Sequence, residues 1–92
     1  MLVSLQARAS YAKKDWMKVY NYTVIFQPLP EGGYGVIVPA IPEISSFGDT
    51  LAEAREMAHD AIRCFLESAM ETGEPIPKDI EPATERVEVT LA

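Results

Sequence analysis

Cysteine occurs once, at position 64, in this chain of 92 residues. No disulfide can close within the chain, and no clustered thiolates are available for zinc, which suits a reducing compartment. Histidine also occurs once, at position 59, so a typical transition-metal set lacks its second imidazole. Positive charge is scarce: eight Lys and Arg stand against fourteen Asp and Glu, for a formal net charge of -6. Such a balance repels phosphate backbones and favours basic partners, so direct nucleic-acid binding by the main domain is not expected. No apolar run approaches the roughly 18 residues that would span a bilayer. Residues 1–16 lack the continuous apolar stretch of about 7–15 residues that a secretory signal needs, and they read as a flexible leader ahead of a second methionine, Met17. The cytoplasm is the address these absences imply. A chain this short makes one domain and hides only about 60–65 per cent of the surface its unfolded form exposes, which argues against a deep catalytic cavity.

Almost half of the residues are apolar, and they fall in short periodic runs that mark a globular sequence. From Val19 to Phe26, "VYNYTVIF" places Tyr20, Tyr22, Val24 and Phe26 on one face of an expected strand. The turn residues of "QPLPEGG" then reverse the chain into "YGVIV" as a hairpin, with Gly35 marking a bulge or a close backbone approach. Pro39 and Pro42 cannot donate to a ladder, so "PAIPE" should leave the sheet before "ISSF" rejoins it as a third strand.

Thr50 and Glu53 make a capping box, with the Thr50 hydroxyl accepting from the Glu53 amide and the Glu53 carboxylate reaching back to the Thr50 amide. The helix that starts there should run to Thr72, because Gly73 suits a left-handed terminus and Pro75 and Pro77 forbid continuation. Leu51, Ala54, Ala58, Ala61, Ile62, Phe65, Leu66 and Ala69 share one side of it, which should pack on the sheet. After a proline-rich connection, "ERVEVTL" alternates Val87, Val89 and Leu91 with polar residues and predicts a fourth strand. The expected class is α+β, in the order β-β-β-α-β: a three-stranded antiparallel sheet, one long helix packed on it, and a C-terminal strand.

The residues that can carry chemistry are few. Glu53, Glu56, Asp60, Glu67 and Glu71 fall within roughly a 60° sector of the helix, opposite its apolar stripe. Two readings fit: a solvated face, or an electrostatic docking ridge for a basic protein. His59 sits at the boundary of the apolar face, and Cys64 lies on the polar side with neither a histidine in helical register nor a lysine nearby to make it a reactive thiol. Ser45 and Ser46 lack a nucleophile elbow and a placed histidine. The glycines of "EGGYG" precede a strand and lack the lysine of a P-loop, so they read as turn formers. No catalytic, metal or cofactor-binding residue is assigned.

The ordered series "EGGYGVIVPAIPEISSFGDTLAEA", an amphipathic helix and "GEPIP" resembles the HicB antitoxin family over about residues 17–80. The resemblance implies a truncated ribonuclease-H-like fold in a protein that is not an enzyme. It also implies a partner, a small basic HicA-type ribonuclease that cleaves messenger RNA and is held inactive by the HicB protein. Relatives commonly have "PDLPGC" where this chain has "PAIPEI", so an acid, a glycine and a cysteine are absent and Glu43 is gained. Many relatives continue into a DNA-binding module; here the expectation is a HicB-like domain over residues 17–92 without one.

On this reading an acidic domain competes with RNA by offering carboxylates to the lysines and arginines of the toxin. Glu53, Glu56 and Asp60 supply a row at the start of the helix, and Glu43, Phe47 and Asp49 lie in the connection leading to it. Tyr34 and Phe47 are candidate aromatic anchors, or else core residues. A homodimer is expected, because an open four-stranded sheet leaves unpaired edges. Two rivals stand beside this: an orphan HicB-like module with another protein partner, and a metal-dependent nuclease recruiting Glu31, Glu43 and Asp49, whose spacing does not require convergence.

Overall fold

The computed structural model describes residues 18–92; the leader expected over residues 1–16 lies outside them. Three short strands form one antiparallel sheet in the order β1 (Ile25–Pro28), β2 (Tyr34–Ile37) and β3 (Ser46–Gly48), followed by a single helix, α1 (Leu51–Thr72). The α+β class, the antiparallel sheet and the long helix are as expected.

The hairpin between β1 and β2 turns on Gly32 and Gly33, both at positive φ, a backbone that glycine adopts without steric cost. Leu29 donates its N–H to the Gly33 carbonyl at 3.0 Å. Backbone alternation then points the nitrogen of Pro28 away from β2, to the edge of β1 where a missing N–H removes no ladder bond. The first strand begins later than its alternation predicts. Ile25 pairs with Ile37, so residues further upstream would have to pair with Val38 and then Pro39, which has no N–H to give. Gly35 pairs with Gln27 and with Phe47 in unbroken register, and a Cβ there would meet only ordinary contacts; the expected bulge is absent.

Between β2 and β3 the chain leaves the sheet as expected, through two successive tight turns, Ile41 N–H to Val38 O at 2.9 Å and Ile44 N–H to Ile41 O at 3.1 Å. Together they drive Ile41 inward until it is wholly buried beside Val36, Val38, Ala54 and Ala58. The proline-bounded connection therefore closes the core as well as shaping the surface.

Thr50 caps α1 in an extended conformation, its hydroxyl accepting from Glu53 N–H at 3.1 Å. The reciprocal bond differs by one residue from the expected box: the Glu53 carboxylate accepts from the Asp49 amide, at 2.7 Å. At the other end Gly73 is left-handed, and Glu74 N–H returns to Ala69 O at 2.9 Å, a Schellman-type closure. Ala54, Ala58, Leu66 and Ala69 are buried on the sheet side of the helix. Two small residues at its N-terminal half let the helix approach β3 so closely that a Cβ on Gly48 would collide with the backbone of Ala54 and Glu53.

No strand follows α1 among the described residues. The fourth strand expected at residues 85–91 has no ladder partner among the described residues, and Val87, Val89 and Leu91 are 75%, 73% and 88% exposed. The alternation is there, but alternation alone does not make a strand: β structure needs a neighbouring backbone. The proline-rich connection is nevertheless fixed at one point. The Tyr22 hydroxyl donates to Pro77 O at 2.6 Å, and Thr23 donates from both its N–H and its hydroxyl to the two oxygens of Asp79, each at 2.8 Å.

Candidate protein-interaction surface

Successive residues of a strand face opposite sides of the sheet, and this alternation sorts the candidate residues. Val36 and Val38 are buried on the helix side, with Tyr34 half-buried and packed against the same core. Phe47, opposite Gly35 in the ladder, lies on the other side of the sheet. There it joins Ile25 and Ile37, which pair across β1 and β2. Phe47 is 43% and Ile37 41% exposed, so the side of the sheet turned away from α1 carries an open apolar patch. The Phe47 ring lies against the turn, where a Cβ on Gly33 would come within 2.6 Å of it. Of the two candidate anchors, Tyr34 serves the core and Phe47 is presented outward.

Glu53, Glu56, Asp60, Glu67 and Glu71 are all exposed, on the side of α1 turned away from the sheet. They do not contribute equally. Glu53 is engaged in the cap. Arg63 bonds Asp60 at 2.7 Å and reaches Glu67 at 3.6 Å, and the bond to Asp60, with the charge of Glu67, raises the pKa of its guanidinium. The ridge is thus interrupted by one cation, leaving Glu56 and Glu71 outside any ion pair found among the described residues. Glu43 and Asp49 are exposed in the connections before and after β3. The candidate set therefore divides between two surfaces: Phe47 faces outward from the sheet, and Glu56 and Asp60 face outward from the helix, with the core between them.

Among the described residues, no three His, Cys, Asp or Glu side chains gather into a group that would hold a metal ion. Glu31, Glu43 and Asp49 do not form the converging carboxylate set that two-metal chemistry requires. Cys64 is an exposed free thiol. No helix among the described residues is long and apolar enough to cross a membrane.

The reading from sequence missed the clamp on the connection after α1. Thr23, through its amide first and its hydroxyl second, holds the Asp79 carboxyl below its ordinary pKa. Burial, and then the charges of Tyr20 and Asp79, pushes the Tyr22 hydroxyl up. The only sequence signal was an aspartate in a proline-rich stretch, which names no partner 56 residues away.

Comparison with known proteins bears on the whole of this architecture. A family model described as the HicB-like antitoxin of bacterial toxin-antitoxin systems matches residues 22–91. Antitoxin HicB 1 of Photorhabdus laumondii is 37% identical over 92 residues, which is all of this chain and 59% of that protein. Antitoxin HicB of Escherichia coli K12 is 38% identical over 74 residues, covering 78% of this chain and 54% of that protein. A UPF0150 protein of Synechocystis is 36% identical over 62 residues, covering 67% of this chain and 78% of its own length. The chain thus spans somewhat more than half the length of the HicB antitoxins it matches. It belongs to the HicB-like antitoxin family of bacterial toxin-antitoxin systems.

Proposed function

We propose that this chain is an antitoxin that binds a small basic HicA-type ribonuclease and prevents it from cleaving messenger RNA, without catalysis of its own. The observation that carries the reading is the family match from residue 22 to residue 91, which takes in the whole sheet, the helix and the segment beyond it. The surface supports it: the net charge of -6 favours encounter with a basic enzyme, and the exposed carboxylates of α1 offer that enzyme a substitute for phosphate. Tyr34, Glu43, Phe47, Asp49, Glu53, Glu56 and Asp60 remain the proposed partner-binding set, with Phe47 supplying an apolar contact and Tyr34 supporting it from the core side. The complex would act in the cytoplasm, where messenger RNA is found, on a fold completed to a ribonuclease-H-like sheet by a further strand.

The test is to purify the chain with the small basic protein encoded beside it and to follow RNA cleavage as the chain is added. Stoichiometric loss of cleavage is expected. A neighbouring ribonuclease that keeps full activity in excess of this protein would remove the inhibitory role.

A further inference from the structure

Residues paired across an antiparallel ladder share a face, so the register sets Ile25 beside Ile37, and Gly35 between Gln27 and Phe47, on the side of the sheet turned away from α1. Gly35 has no side chain, and a Cβ added there would meet nothing closer than Gln27 O and a Leu29 methyl, each at 3.9 Å. A shallow notch therefore opens in the middle strand, bordered by Ile37 along the strand and by Phe47 across it, both exposed. An open gap beside an exposed aromatic and an exposed aliphatic side chain can receive a projecting apolar group and bury it, as the centre of a protein interface does.

The charges that border this face have one sign. From Val19 to Ala54 the chain contains no lysine and no arginine, so the sheet and both of its connections carry Glu31, Glu43 and Asp49 with no cation among them. Glu31 is exposed in the turn whose Gly33 lies under the Phe47 ring, Glu43 and Asp49 are exposed before and after β3, and Asp79 is held on Thr23, just ahead of Ile25. The cations gather elsewhere. Lys18, Arg55 and Arg63 line the groove between β1 and α1, on the helix side of the sheet, and Arg63 also interrupts the acidic ridge. An apolar centre with carboxylates at its margins matches a partner whose apolar projection is ringed by lysines and arginines.

We infer, resting on the toxin reading proposed above, that the basic ribonuclease docks on this outer face, centred on the Gly35 notch and Phe47, and that the helix takes no part in the contact. Of the proposed partner-binding residues, Glu43, Phe47 and Asp49 fall within the footprint. Glu53 is occupied by the cap. Glu56 and Asp60, beyond the core, act on the approach of the partner through their field alone. An enzyme that binds RNA presents cations around its site, so the carboxylates at the margin draw that site over the sheet, where Ile37 and Phe47 supply the burial.

Binding and RNA cleavage are measured with the small basic protein encoded beside the chain. Gly35→Lys sets a cation and its stem in the notch, at an outward position where the first added atom meets only ordinary contacts, so the thermal midpoint should stay close to that of the wild type. Toxin affinity should fall by about 30-fold or more, as for the loss of a central contact. Independently, in a Cys64→Ser background, the thiol of Gln27→Cys should react with a maleimide more slowly when the toxin is bound, while that of Glu56→Cys should react at the same rate free and bound. The labelling decides alone if Gly35→Lys does not fold. A folded Gly35→Lys variant that binds the toxin at full strength, or a complex that shields Glu56→Cys and leaves Gln27→Cys reactive, overturns the docking face and leaves inhibition standing. A wild-type chain that neither binds nor inhibits the toxin overturns the toxin reading, and the docking face with it.

Discussion

Gly48 and Gly35 stand on adjacent strands of one sheet, yet their surroundings give a substitution opposite consequences. A methyl at Gly48 meets the backbone of Ala54 and Glu53, which cannot rotate away, whereas a methyl at Gly35 finds Gln27 O and a Leu29 methyl each at 3.9 Å. Gly48→Ala should therefore lower stability by about 1–3 kcal/mol through overpacking. Gly35→Ala should be neutral or stabilising by up to about 1 kcal/mol, because it only restricts the unfolded chain. Urea denaturation of the two variants measures both, and equal losses would show that α1 does not press on β3 as described. Asp79 gives a second residue-level expectation. Its pKa is lowered in the folded protein, so between that lowered value and the ordinary aspartate value the folded chain binds fewer protons than the unfolded one. The clamp's contribution is complete above the ordinary value and is lost as pH falls through the folded one. An NMR titration should show the Asp79 carboxyl and the Thr23 amide changing together below the ordinary aspartate range, and the Thr23 step should vanish in Asp79→Asn.

At the scale of the element, the helix depends on its ends. Thr50→Ala removes the acceptor for Glu53 N–H and should cost about 1 kcal/mol, read as a lower midpoint in thermal unfolding, with Thr50→Ser close to wild type. Those ends were legible in the sequence because capping is local: Thr50, Glu53 and Gly73 specify their geometry through neighbours within five residues. The strands were less legible for a matching reason. Alternation in "VYNYTVIF" groups Tyr20, Tyr22, Val24 and Phe26 on one face, of which Tyr22, Val24 and Phe26 pack against the core while Tyr20 stays exposed, but it cannot say where a ladder starts, which depends on Ile37 and Pro39 across the hairpin. Likewise "ERVEVTL" shows a strand's face without showing whose backbone it meets. The candidate anchors illustrate the same limit. Tyr34 and Phe47 are both aromatic strand residues, and only the register that sets Phe47 opposite Gly35 separates the core residue from the exposed one. The Thr23–Asp79 clamp was illegible because nothing local marks a contact so distant in the chain.

At the scale of the whole molecule, the proposed docking residues lie on opposite outer surfaces, and this lets the two be tested separately. A ribonuclease guided by charge meets the ridge of α1; one held by apolar burial meets the patch of Ile25, Ile37 and Phe47. Glu56→Lys/Asp60→Lys reverses the ridge. Both residues are exposed, and Arg63 keeps Glu67 within reach when Asp60 is lost. An exposed ion pair of this kind contributes only about 0–1 kcal/mol, so the thermal midpoint should hardly move. Association with the toxin should slow, and its dependence on salt should weaken, because steering by charge acts on the approach of the partners. Phe47→Ala should act on the other term: the complex should dissociate faster, with its salt dependence unchanged, since truncating a contact residue removes apolar burial and leaves the long-range field intact. If the lysine pair leaves both the association rate and the salt slope untouched while Phe47→Ala releases the toxin, then the carboxylates of α1 are a solvated face and the docking surface is the sheet. The reverse result assigns docking to the helix and leaves Phe47 with the turn at Gly33 that its ring covers.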